Sequence, residues 1–166
     1  IFKNFTFEKN KFYVTFYLGG GGNLMLLSKI LLDLVNRAKI PKNIKCLIIL
    51  GTIAKNKKII VNLSKKYKSI TYFDQGENLY YVIKNSNLFF GTSGTAIFET
   101  AYLKTPAILF KVSRNQDTNI FSLENLGHYL FLDIKDLKKT NKITELILLA
   151  AKSHLRLKLL NRKPRI

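Results

Sequence analysis

The sequence predicts an α/β domain: a doubly wound, mainly parallel sheet of six strands with helices on both faces. Three observations carry that expectation. Short apolar runs alternate with helically spaced stretches along the whole chain. The runs are continuous rather than alternating, as in sheets covered on both faces. Several strand-to-helix junctions are rich in glycine, hydroxyls or amides, and the carboxyl ends of such strands are where open parallel sheets take ligands.

The elements follow in order. Phe12–Leu18 (FYVTFYL) is β-branched and aromatic and reads as the first strand, ended by GGGGN. Leu24–Ala38 places Leu27, Ile30, Leu31, Leu34 and Val35 at helical spacing. Ile44–Leu50 is a second apolar strand, and Lys57–Tyr67 a short amphipathic helix. Ser69–Phe73 is the third strand, Glu77–Lys84 a short helix, and Asn87–Phe90 the fourth strand. A helix over Ser93–Leu103 leads through Thr-Pro into a fifth strand, Ala107–Lys111. Asn119–Leu126 reads as helix, Tyr129–Leu132 as the sixth strand, and Asp136 to about Leu160 as a helix ending in a basic tail. Right-handed crossovers join the parallel strands.

Composition narrows the function. The 166 residues, 47% of them hydrophobic, suffice for one domain with a proper core. One cysteine, Cys46, and two histidines supply neither a disulfide framework nor a metal cluster, and a reducing cytoplasm is expected. No apolar run is long enough to span a membrane, and the start has no secretory signal pattern. It also lacks an initiator Met. Residues 1–11 are polar and irregular and are expected to connect from a preceding, missing N-terminal domain, with 12–166 forming the domain itself. The net charge of +18 raises the alternative of a basic nucleic-acid-binding module. Its lysines are scattered in ones and twos, without an interleaved aromatic stripe, so nucleic acid is the less favoured partner. A positive field would still help capture a phosphorylated ligand.

Three junctions are chemically unusual. Gly19–Gly20–Gly21–Gly22–Asn23 allows close backbone approach before a helix N-terminus, which suits phosphate. It lacks the Lys and Ser/Thr of a P-loop, and would serve equally as a turn with Asn23 as helix cap. In GTSGT, Gly91 and Gly94 free the backbone, while Ser93 and Thr95 offer hydroxyls to an anion or to the helix that follows. Glu99 lies one turn into that helix, where a carboxylate repels phosphate but accepts from a ribose diol, or simply benefits from the helix dipole. The third junction, Lys111–Asn119, collects Arg114, Asn115 and Gln116 after a strand, as a ligand loop or a solvated one.

Taken in order, YLGGGGNLMLLSKIL, ITYFDQGENLYYVIKNSN, NLFFGTSGTAIFETAYLKTPAILF and SRNQDTNIFSLENLGHYLFL resemble the C-terminal, nucleotide-binding half of GT-B type nucleotide-sugar enzymes, a Rossmann-like half-molecule. The resemblance is strongest to the pseudaminic-acid pathway UDP-sugar hydrolases and the spore-coat polysaccharide predicted glycosyltransferases. The peptidoglycan N-acetylglucosaminyltransferase MurG is more distant. The likeness implies that Glu99 accepts the ribose hydroxyls and that Ser93, Gly94 and Thr95 hold the diphosphate. It implies that Gly20, Gly21 and Asn23 line the phosphate and sugar side, that Asn115 and Gln116 face the sugar, and that the backbone near Phe73 pairs with the uracil. The implied function is to bind the nucleotide-diphosphate part of a UDP-sugar as the donor half of a hydrolase or glycosyltransferase in surface polysaccharide or nonulosonate biosynthesis. In the hydrolases the base is a histidine in the N-terminal half, to which nothing here corresponds. His128 and His154 are not assigned that role, so the catalytic residues stay unknown. No Asp-x-Asp stands at a strand end, so neither metal nor cofactor is expected. A partner-binding domain without catalysis is the remaining alternative.

Overall fold

The computed structural model describes residues 5–37, 43–75, 79–112, 129–133 and 135–153. Its elements are β1 (Phe12–Tyr17), α1 (Leu24–Asn36), β2 (Ile44–Leu50), α2 (Lys57–Lys66), β3 (Ile70–Asp74), α3 (Leu79–Lys84), β4 (Leu88–Thr92), α4 (Ala96–Leu103), β5 (Ala107–Phe110), β6 (Tyr129–Leu132) and α5 (Thr140–Lys152). The six strands are ordered β3-β2-β1-β4-β5-β6 and every pairing is parallel. The doubly wound α/β expectation therefore holds. The helix predicted over Asn119–Leu126 lies outside the described residues.

Each face of the sheet buries one core. On one, Phe16, Phe90 and Phe110 pack under α1, α2 and α5 through Leu31, Ile60 and Ile147. On the other, Tyr17, Phe73 and Phe89 pack under α3 and α4 through Val82, Ile83, Ala96 and Ile97. Burial of this kind contributes about 1.5–3 kcal/mol per large apolar side chain.

Several boundaries differ from the sequence expectation, for physical reasons. The fourth strand does not stop before Gly91. It runs to Thr92, with Gly91 opposite Tyr17 on β1 and Leu109 on β5. A Cβ on Gly91 would lie 2.3 Å from the Tyr17 carbonyl and 2.7 Å from the Phe89 ring, so glycine serves close packing here and not a turn. The helix expected from Asp136 is broken. A 3-10 turn covers Asp136–Lys138, and α5 starts at Thr140. In one continuous helix Leu137 and Ile143 would point about 120° apart, at about 100° per residue. The break re-phases them, and both are buried in the same core.

Residues 5–11 are irregular, but they are not merely polar. Phe5 stacks edge-on against Phe73 at 5.3 Å, and Phe7 against Tyr13 at 4.7 Å. The backbone N–H of Glu8 donates to the Tyr13 hydroxyl at 2.8 Å.

The Gly91 contact yields a test. Gly91→Ala should lower unfolding free energy by on the order of 3 kcal/mol, because the obstructing atoms are backbone and a packed ring. Gly20→Ala, whose Cβ would meet only the Gln75 side chain at 3.7 Å, should be near neutral. Urea denaturation of both variants measures the contrast.

Candidate functional site

The strand order reverses between β1 and β4, so the crevice at their carboxyl ends is the topological switch point. Two loops meet there. Gly19–Asn23 leaves β1, and Ser93–Thr95 leaves β4. They are close: a Cβ on Gly19 would sit 3.6 Å from the Thr92 hydroxyl. Gly19 has φ +77°, a conformation glycine adopts without penalty.

The glycine-rich loop is braced from the β2 side. Ile53 N–H donates to the Gly20 carbonyl and Lys55 N–H to the Gly22 carbonyl, each at 3.0 Å. Gln75 Oε1 accepts from Thr52 N–H at 2.8 Å and from its hydroxyl at 3.0 Å, holding the bracing loop to the end of β3. Gly51 makes this approach feasible, since a Cβ there would fall 2.2 Å from the Gly19 carbonyl. Gly51 was legible as a glycine directly after an apolar strand, yet sequence reasoning passed over it.

The two helix N-termini at the crevice differ. At α1 the first amides are occupied: Leu24 N–H donates to the Lys55 carbonyl at 3.1 Å, and Met25 N–H to the Asn23 side-chain oxygen at 3.0 Å. Asn23 also accepts from Asn56 Nδ2 at 2.9 Å. It is thus the helix cap that the residue pattern allowed. At α4, hydrogen bonding begins with Ile97 N–H to Gly94 and Phe98 N–H to Thr95, both 3.1 Å. Thr95 makes no side-chain cap. The N–H groups of Gly94, Thr95 and Ala96 find no acceptor among the described residues. Ser93 turns inward instead. It is wholly buried, and its N–H donates to the Phe110 carbonyl at 3.0 Å, tying β4 to β5.

Glu99 sits in the first turn of α4. Its Oε2 is inaccessible to solvent and has no hydrogen-bond partner among the described residues. Burial pushes its carboxyl above the usual range. The helix dipole would pull the other way. Tyr17, at the end of β1, is also raised, first by burial and then by the Glu99 charge. Nothing in the sequence pattern marked Tyr17 as more than an apolar strand residue.

Phe73 is buried near the end of edge strand β3 and contributes its ring to the core beneath the crevice. Asn115 and Gln116 lie outside the described residues, as do His128 and His154. A cavity of about 660 Å³ opens on the opposite face of the sheet, among Asn23, Met25, Thr92, Val112 and Leu137. It is largely apolar and does not include Glu99. Among the described residues no cluster of His, Cys, Asp and Glu could hold a metal ion. No helix there is long and apolar enough to cross a membrane.

The glycosyltransferase family 28 C-terminal domain matches residues 15–165, nearly the whole chain. The chain belongs to this family. No curated protein matches it. Among solved structures, this family 28 domain is similar to the C-terminal CMP-Kdo binding domain of WaaA from Acinetobacter baumannii, with TM-score 0.63 and 15% identity over 92% of this chain and 88% of that one. It is also similar to the spinosyn rhamnosyltransferase SpnG complexed with thymidine diphosphate, with TM-score 0.62 and 15% identity. That match covers 92% of this chain but only 42% of SpnG. At these identities the likeness shows the shared fold, the C-terminal half of a GT-B molecule.

The Glu99 environment gives a pH test. A carboxyl raised in the folded state favours its protonated form. Its contribution to stability is therefore full below the ordinary glutamate range and is lost as pH rises through the raised value. Glu99→Gln should raise the melting temperature at neutral pH and lose that gain in acid. Thermal melts across pH, read against wild type, decide it.

Proposed function

We propose that this family 28 domain grips the nucleotide-diphosphate part of a UDP-sugar, as the donor half of a glycosyltransferase or nucleotide-sugar hydrolase. The observation that carries the reading is the pairing, on one short helix, of amides with no acceptor among the described residues and, one turn deeper, an inaccessible Glu99 Oε2 with no partner among them. The amides of Gly94, Thr95 and Ala96 suit a diphosphate, helped by the α4 dipole. Glu99 suits the ribose, because it can only accept and a diol can donate to it. The spacing between the two groups answers the electrostatic difficulty of placing an acid beside a phosphate.

The braced glycine loop with Gly20 and Gly21 would flank the phosphates from the β1 side, and the backbone near Phe73 would meet the base. Asn115 and Gln116 would face the sugar. The Ser113, Asn115, Gln116 spacing is what favours the hydrolase branch, and with it a role in nonulosonate or other surface polysaccharide synthesis in the cytoplasm. A second, N-terminal half would close over the donor, supplying the acceptor or the water and the base that activates it. The leaving UDP would then be stabilised by helix amides rather than by a metal. A net charge of +18 would favour capture of the anionic donor.

Calorimetric titration with UDP, CMP, GDP and ADP tests this directly. UDP should bind tightest, and Glu99→Ala should weaken it about 10-fold or more, the loss expected for hydrogen bonds to a charged group. Equal affinity for all four nucleotides would refute the base assignment. Unchanged affinity in Glu99→Ala would refute the ribose assignment. A salt-sensitive DNA shift without any nucleotide response would favour the nucleic-acid reading instead.

A further inference from the structure

The nucleotide reading makes no use of the cavity on the α1 side of the sheet. Its floor is Phe90 on β4 and Phe110 on β5, whose rings lie 5.5 Å apart. One wall is the start of α1, with Met25 and Ile30. The other is the 3-10 turn before α5, which brings Leu137 to the same hollow. At about 660 Å³ it has the size of a small-molecule site. Cavities lined in this way stay dry and take apolar ligands. The apolar lining also reaches solvent, since Met25 and Val112 are 44% and 51% exposed.

The charge along its walls has one sign. Lys29 on α1 and Lys138 on the 3-10 turn are exposed and line the cavity, and no acid stands beside them among its described lining residues. The acids on the surrounding elements are engaged elsewhere. Asp136 pairs with Lys139 at 3.0 Å. Arg37 takes both Asp33, at 3.2 Å, and Glu145, at 3.3 Å. Neither the Lys29 nor the Lys138 ammonium has an ion-pair partner among the described residues. An apolar hollow with two uncommitted cations on its walls matches a ligand with a hydrocarbon body and an anionic end. Two cations suit the nearly double charge of a phosphate monoester better than the single charge of a carboxylate.

We propose that this cavity binds a lipid phosphate. The hydrocarbon chain lies against Phe90, Phe110 and Leu137, and the phosphate meets Lys29 and Lys138. The cavity does not include Glu99, so the proposal stands apart from the nucleotide reading.

The test is calorimetric titration of the domain with decyl phosphate, hexyl phosphate, decanoate and decanol, each kept below its aggregation threshold. Decyl phosphate should bind on the order of 100-fold tighter than hexyl phosphate, from about 4-fold per buried methylene. Replacing both lysines, Lys29→Ala with Lys138→Ala, should weaken decyl phosphate about 10-fold and leave decanol unchanged, because exposed ion pairs are worth up to about 5-fold each. Both lysines are surface residues, so the variant retains the fold, and a thermal melt checks that. Glu99→Ala should leave decyl phosphate unaffected. Failure of decyl phosphate to bind overturns the proposal, whether another part of this chain or a second copy then covers the cavity. Equal affinity for the two alkyl phosphates overturns it as well, since a surface anion site would behave so. An unchanged affinity in the double lysine variant refutes the headgroup assignment, and decanoate binding as tightly as decyl phosphate refutes the phosphate. Loss of decyl phosphate binding in Glu99→Ala would move the ligand to the α4 side and refute the cavity.

Discussion

The contact on which the rest depends is the pairing of β1 with β4 in the middle of the sheet. It joins the two halves of the winding, β3-β2-β1 and β4-β5-β6, and so creates the switch point where the crevice opens. The pairing is tight. Tyr17 lies opposite Gly91, with the Tyr17 carbonyl and the Phe89 ring filling the space where a side chain would otherwise stand. Because the two strands end together, the glycine loop after β1 and the Ser93–Thr95 turn after β4 come to lie side by side.

Within the crevice the two sides divide the work. On the β1 side the Gly20 and Gly22 carbonyls bond to the Ile53 and Lys55 amides, and the helix that follows is capped by Asn23. On the β4 side, among the described residues, the amides of Gly94, Thr95 and Ala96 lack acceptors and the inaccessible Glu99 Oε2 lacks a donor. Unmet hydrogen bonds of this kind are those a ligand would supply. The apolar cavity on the opposite face shares Asn23 and Thr92 with the crevice, and among the described residues none of the buried side-chain polar atoms without a partner lines it. On that ground we propose the nucleotide site on the Glu99 side.

Much of this was legible in the sequence. Strands such as Ile44–Leu50 and Ala107–Phe110 are continuous apolar runs with no competing period, so element type and the parallel winding followed directly. Glu99 stood out as a lone acid in an otherwise apolar helix. What was not legible depended on tertiary packing. Ser93 could not be read as a β4–β5 strut until β4 was known to run through Gly91. The break at Lys139 follows from the joint burial of Leu137 and Ile143, which helical periodicity alone does not reveal. Residues 1–11 read as polar and irregular, yet Phe5 and Phe7 pack edge-on against Phe73 and Tyr13. That packing depends on a partner as distant in sequence as Phe73.

The central claim is positional: the nucleotide lies at the α4 end of the switch-point crevice. The most direct measurement is a crystal structure of the domain soaked with UDP. The ribose hydroxyls are expected within hydrogen-bonding distance of Glu99, with the diphosphate over the amides of Gly94, Thr95 and Ala96. Density for UDP in the apolar cavity beside Met25 and Leu137, or a diphosphate seated on the capped N-terminus of α1 with Glu99 untouched, would contradict the account.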